Sequence, residues 1–184
     1  MRHRAVLMFY FAVMQKNVFK NKNDKSEEIN MSEKGKTARE YFEQGYNCSQ
    51  AVVLAFAPDL GLDEKTAVLV SSAFGGGMGR LREVCGTVSG MFMVLGMKYG
   101  SDSPDDYGKK KELYRRVQSL AEEFKRDNGS IICRDLLGLT EKKPDSYAPE
   151  KRSAEYYKKR PCSELVEYAA DLLDEYIKQN PEDC

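Results

Sequence analysis

The sequence predicts an all-α protein, a compact bundle of about six to seven helices with no sheet. Three observations carry this. Apolar residues recur at helical spacing, as in the stripe Leu113, Val117, Leu120 and Phe124. Helix-starting residues stand just before such segments, and glycine or proline just after them. No stretch alternates apolar and polar residues with the period of two that a half-buried strand requires.

Residues 1–30 are expected to lie outside this fold. Met1–Gln15 resembles a secretory leader, with a basic start and the apolar run Ala5–Met14. That run falls short of the roughly 20 residues a membrane helix needs, and no small-x-small cleavage site follows it. Lys20–Asn30 is polar and reads as disordered. Glu27-Glu28 can be encoded as GAGGAG, a ribosome-binding sequence just upstream of Met31. Met31 is therefore the expected start, with a genuine short membrane-associating leader as the alternative.

Residues 31–184 read as one helical domain, long enough to bury a core. Lys36–Gln44 forms a first amphipathic helix stopped by Gly45. Asn47 caps a second, Cys48–Ala57, which ends near Pro58. Asp63 caps a third running to about Phe74. After the glycine run F-G-G-G-M-G, a fourth starts near Cys85 and ends at Gly100. Ser103-Pro104 reads as a cap followed by proline in the first helical position, opening a long charged helix over 104–127. Ser130 caps a short helix to Leu137, closed by Gly138. Residues 139–159 read as a polar loop with a helical turn. Arg160-Pro161 opens the last helix, 161–178, with Leu165, Tyr168, Ala169, Leu172 and Tyr176 facing inward.

Composition excludes several functions. Lys plus Arg and Asp plus Glu balance at 29 each, and no basic stripe or RNA-binding aromatic motif is present, so no nucleic-acid partner is expected. The single His, His3, argues against His-based acid/base catalysis, Ser-His-Asp triads and His-rich metal sites. Asp105-Asp106 and Glu122-Glu123 read as helix-surface charges, so no turnover step is visible. The five cysteines are the chemically distinctive residues. Without a secretory context they read as thiols or ligands of a cytoplasmic protein, not as a disulfide framework.

Four of them fall at predicted helix starts: Cys48 after Asn47, Cys85 opening the fourth helix, Cys133 after Ser130 and Cys162 after Pro161. Free N–H groups and the helix dipole favour a negative sulfur there, which predicts lowered pKa values. Cys184, in the terminal N-P-E-D-C, stands apart. No pair is a C-x-x-C, so zinc knuckles, ferredoxin runs and thioredoxin-type dithiols lack their usual spacing. If the four thiols meet, the tertiary fold brings them together. The first expectation is then a [2Fe–2S] cluster or another metal centre for electron transfer, and the alternative is two pairs that open and close as disulfides. Structural thiols in a helical interaction module are the plain alternative.

The segment C-G-T-V-S-G at Cys85–Gly90 resembles the C-G-A-x-x-G element of the C_GCAxxG_C_C family of small, redox-active four-cysteine proteins. The order agrees: G-Y-N-C-S-Q-A-V carries Cys48, I-C-R-D-L-L-G carries Cys133 and R-P-C-S-E-L-V carries Cys162. The resemblance covers roughly residues 36–177 and departs at Thr87, where the family motif usually has Ala. It implies a redox or electron-transfer role with a redox partner protein, often with transporter genes nearby. A similar domain accompanies haem and an iron–sulfur centre in a split-Soret type cytochrome. This chain has no C-x-x-C-H and is expected to bind no c-type haem. A homodimer is the default expectation for assembly.

The other motifs read plainly. F-G-G-G-M-G lacks the Gly-Lys-Ser/Thr ending of a phosphate loop and reads as a flexible connection. Gly86, Gly90 and Gly96, with Ser89, form a smooth strip for close helix packing. Met91, Met93 and Met97 read as core filler. Lys109–Lys111 with Arg115-Arg116 form a solvated face, available to an acidic redox partner.

Overall fold

The computed structural model describes residues 32–139 and 145–181. The expectations for residues 1–30 and for Cys184 lie outside the described residues. The described chain is helical: α1 (Glu33–Glu43), α2 (Cys48–Phe56), α3 (Glu64–Ser71), α4 (Gly86–Tyr99), α5 (Tyr107–Asn128), α6 (Cys133–Leu136), α7 (Ala154–Lys159) and α8 (Cys162–Gln179). Among the described residues no strand forms; Val84 and Ile132 make an isolated antiparallel bridge. No described helix is long and apolar enough to cross a membrane.

Local caps set most boundaries. Asn47 closes a full capping box on α2: its Oδ1 accepts from the Ser49 and Gln50 N–H groups at 3.0 Å, and Gln50 Oε1 accepts from the Asn47 N–H at 3.0 Å. Asp63 caps α3 through the Thr66 N–H. Three starts differ from expectation. Helix α6 begins at Cys133 with Ile132 at its N-cap, and the Ser130 hydroxyl accepts from the Ile132 N–H at 3.0 Å without capping the helix. Helix α1 begins at Glu33 because the Ser32 hydroxyl accepts from the Gly35 N–H at 3.0 Å. Helix α5 begins at Tyr107 because Asp106, and not Ser103, accepts from the Lys109 N–H at 2.9 Å. In the loop after residue 145, Ser153 caps α7.

Helix α2 is the centre of the bundle, with Ala51, Val52, Val53, Leu54, Ala55 and Phe56 all buried. Helices α1, α3, α4 and α8 pack around it, and α5 closes over α4 and α8 with Leu120 and Phe124. Helix α1 is fastened to α8 by polar contacts: Ser32 donates from N and Oγ to Asp171 Oδ1 at 3.0 and 2.7 Å, and Arg39 pairs with Glu167 at 2.7 Å.

The approach of α4 to α2 is close enough to exclude side chains. A methyl group at Gly90 would lie 2.9 Å from Val52 Cβ and 3.0 Å from the Ser49 carbonyl. The strip is shorter than expected: a methyl at Gly96 would meet nothing within 4 Å, because Gly96 lies off the i, i+4 row that Gly86 and Gly90 share. Met91 is fully buried, whereas Met97 is 50 % exposed and is surface, not core filler.

Candidate functional site

The four cysteines occupy the first turns of four helices. Cys48, Cys133 and Cys162 are the first residues of α2, α6 and α8, and Cys85 is the N-cap of α4. All four are free thiols and line one cavity of about 50 Å³, room for a few water-sized groups. Cys85 and Cys133 are each 6 % exposed, while Cys48 and Cys162 are half-buried.

Two devices assemble this cavity. The first is the approach of α4 to α2. A methyl group at Gly86 would lie 2.5 Å from Cys48 Sγ and 2.9 Å from the Phe74 carbonyl oxygen, so only glycine admits the Cys48 sulfur beside Cys85. The second is a short antiparallel pairing of 82–85 with 131–134. Cys85 N–H donates to the Ile131 carbonyl at 2.8 Å, Cys133 N–H to the Glu83 carbonyl at 2.7 Å and Arg134 N–H to the Arg82 carbonyl at 3.2 Å. These bonds bring the starts of α4 and α6 together.

The glycine run provides the turn into that pairing. Gly76, Gly77 and Gly79 are left-handed, and so are Met78, Arg80 and Arg82. Left-handed backbone is costly for a non-glycine residue, so the chain is held there by its contacts. Gly77 has a steric reason as well: a methyl there would lie 2.6 Å from Cys133 Cβ. The run thus forms the tight turn that leads into the pairing with 131–134.

Three guanidinium groups face the cavity with the thiols. Arg82, 4 % exposed, stands with Nη1 3.8 Å from Cys133 Sγ and pairs with Asp145, Nε lying 3.1 Å from Oδ2. Arg152 donates to the Phe42 and Tyr46 carbonyls, at 3.5 and 3.2 Å, and stacks 4.4 Å above the Phe42 ring. Arg160 pairs with Glu150 and lies 4.9 Å from the Tyr156 ring centre. Arg80 reinforces the Asp145 contact at 3.0 Å. Asn47, beside its capping role, lines the cavity and donates from Nδ2 to the Ser72 carbonyl at 2.9 Å.

Thiol electrostatics run opposite to the expectation drawn from helix starts. Burial pushes the Cys85 thiol well up, the neighbouring Cys48 charge pushes it further, and the Thr87 hydroxyl, 3.2 Å from the sulfur, opposes both. Burial raises Cys133 as well, against the pull of the Arg82 guanidinium. Cys162 is pushed up to about 12 by burial and then by the charges of Cys48 and Cys133. Desolvation outweighs the helix-terminal field at these three sulfurs, so they sit as neutral thiols at neutral pH.

The arrangement also bears on metal binding. Four sulfurs are the donor set that a [2Fe–2S] cluster takes. Yet among the described residues no three Cys, His, Asp or Glu side chains are placed to share a metal ion. Each sulfur is held against its own neighbour: Cys48 on Gly86, Cys85 on Thr87, Cys133 on Arg82. The four sulfurs thus share a cavity without forming a ready-made single-ion site among the described residues.

Sequence reasoning brings the four cysteines, Asn47, Gly86 and Gly90 to this region but misses Thr87 as a sulfur contact and the three arginines. Arg82 and Arg160 had one available signal, their places three residues before Cys85 and two before Cys162. Arg152 had none.

Residues 46–176 match the family model described as "Putative redox-active protein (C_GCAxxG_C_C)", more than half of the chain. No curated protein and no solved structure matches it.

Proposed function

Because the chain belongs to the C_GCAxxG_C_C family of redox-active proteins, we propose that it carries electrons by dithiol–disulfide exchange among Cys48, Cys85, Cys133 and Cys162. The observation that supports this most is that all four thiols are free and line one cavity, with the Cys48 sulfur lodged against the residue that follows Cys85. Thiol–disulfide exchange needs an attacking thiolate, a reachable sulfur and a resolving thiol nearby. The half-buried Cys48 would take up the exchange, and Cys85, Cys133 and Cys162, whose thiols burial raises, offer resolving thiols shielded from further oxidation. The arginines supply positive charge where thiolates form transiently.

A redox partner protein belongs to this reading, since thiol–disulfide exchange passes its electrons to or from a second thiol or disulfide. An iron–sulfur or other metal centre for electron transfer is the second reading, favoured only by the presence of four sulfurs on one cavity. The arrangement of those sulfurs does not favour it.

Anaerobically purified protein separates the readings. Dithiol–disulfide chemistry predicts colourless protein whose titratable thiols fall by two or four on mild oxidation and return on reduction. Visible absorption with bound iron and sulfide would put the metal reading first. Colourless protein with an unchanged thiol count would make the cysteines structural.

A further inference from the structure

The cavity is not symmetrical in its sulfurs. Cys85 and Cys133 are buried at 6 % exposure, and at Cys162 burial is the largest influence on the thiol, whereas Cys48 is half-buried and also in contact with the motif of Cys85. We propose that Cys48 is the exchanging sulfur of this cavity, taking the incoming disulfide and passing the bond inward to form Cys48–Cys85. The assignment rests on the dithiol–disulfide reading above.

Three independent features place Cys48 in this role. Its sulfur occupies the space that a side chain at Gly86 would fill, directly beside Cys85. The capping box of Asn47 and Gln50 fixes the turn from which it projects, so its position is set by hydrogen bonds and not by packing alone. It stands close enough that its charge would act on each of the other three thiols. Among the four, it is the half-buried thiol that neighbours each of the others.

The step balances with a small organic disulfide, R–S–S–R, as oxidant. The Cys48 thiol gives its proton to solvent, and the thiolate attacks one sulfur of the disulfide. The S–S bond breaks, a Cys48–S–S–R bond forms and RS⁻ leaves. That thiolate accepts the Cys85 proton, and the Cys85 sulfur attacks the Cys48 sulfur, expelling the second RS⁻, which takes up a proton. One R–S–S–R is reduced to two RSH, and two protein thiols become one disulfide. Thr87, 3.2 Å from the Cys85 sulfur, donates to the thiolate as it forms.

Bis(2-hydroxyethyl) disulfide, small and uncharged, is a suitable probe. The full chain is exposed to it, acid-quenched at intervals, and mapped by peptide mass spectrometry. Wild type is expected to show the hydroxyethylthio adduct first on Cys48 and then an internal Cys48–Cys85 bond. Cys85→Ser is expected to stop at the Cys48 adduct, and Cys48→Ser to slow both adduct and internal bond by tenfold or more. An internal disulfide formed at the wild-type rate in Cys48→Ser, or a first adduct on Cys162, overturns the assignment while leaving dithiol chemistry standing. No adduct and no internal bond at any cysteine overturns both. The order of adducts in wild type decides the question even where a serine variant fails to fold.

Discussion

Gly86 and Cys48 interlock: the Cys48 sulfur sits where a side chain on Gly86 would begin, 2.5 Å from the position of its first carbon. Two segments far apart in sequence, N-C-S-Q and C-G-T-V, are thereby held in contact. Gly86→Ala is expected to displace the sulfur or the α4 backbone, costing about 1–3 kcal/mol as an overpacked core does. Its melting temperature is expected to fall and its Cys48 alkylation rate to change together. A variant unchanged in both would show that the contact is not maintained in solution.

Further along α4 the same logic separates two glycines. Gly90→Leu meets Val52 and the Ser49 carbonyl and is expected to lose about 1–3 kcal/mol or more. Gly96→Ala meets nothing and is expected to gain roughly 0.5–1 kcal/mol from helix propensity. Denaturant midpoints measure both. Equal destabilisation by the two changes would contradict the placement of Gly96 off the face that packs on α2.

Thiol ionisation sets a pH dependence. Cys162 is raised to about 12 from an ordinary value of 9.0, and Cys85 and Cys133 are raised in the same direction. A raised thiol remains protonated in the folded state while the unfolded chain ionises. The stabilisation is therefore intact below about pH 9 and is lost as pH rises toward the folded value. Melting temperature is expected to decline above pH 9, and less steeply in Cys162→Ala. A slope unaffected by that substitution would show that Cys162 is not shielded from water.

The hydroxyl of Thr87 tunes one sulfur selectively. Thr87→Val removes the contact to Cys85 at nearly constant volume. It is expected to raise the Cys85 pKa further and slow the internal Cys48–Cys85 bond several-fold, while the first adduct at Cys48 forms at its usual rate. Thr87→Ser, which keeps the hydroxyl, is expected to restore the second step. Equal slowing of both steps would assign Thr87 a packing role alone.

Much of the helical layout is legible because caps act over three or four residues. Asn47 and Asp63 announce α2 and α3 through bonds to their own next turn. Where two caps compete locally, as Ser103 and Asp106 do, the order is not readable: the aspartate takes the Lys109 N–H and the helix starts later. The cavity was legible through its cysteines, which sit at helix starts, and through Gly86 and Gly90. Its electrostatics were not. The direction of the thiol shifts depends on burial by α1, α4 and α8, and the arginines arrive from a loop and from a left-handed turn. Neither is a property of local sequence.

The central claim is that the four-cysteine cavity is a reversible thiol couple, and redox equilibration of the full chain tests it most directly. Protein is equilibrated in buffers of stepped dithiothreitol-to-oxidised-dithiothreitol ratio, alkylated and weighed by mass spectrometry. The account predicts reversible interconversion between a fully alkylated reduced form and an oxidised form that carries two fewer alkyl groups, with the bond mapped to Cys48 and Cys85. Cys184→Ser is expected to leave this interconversion unchanged. A mass that stays at the fully reduced value across all ratios would contradict it.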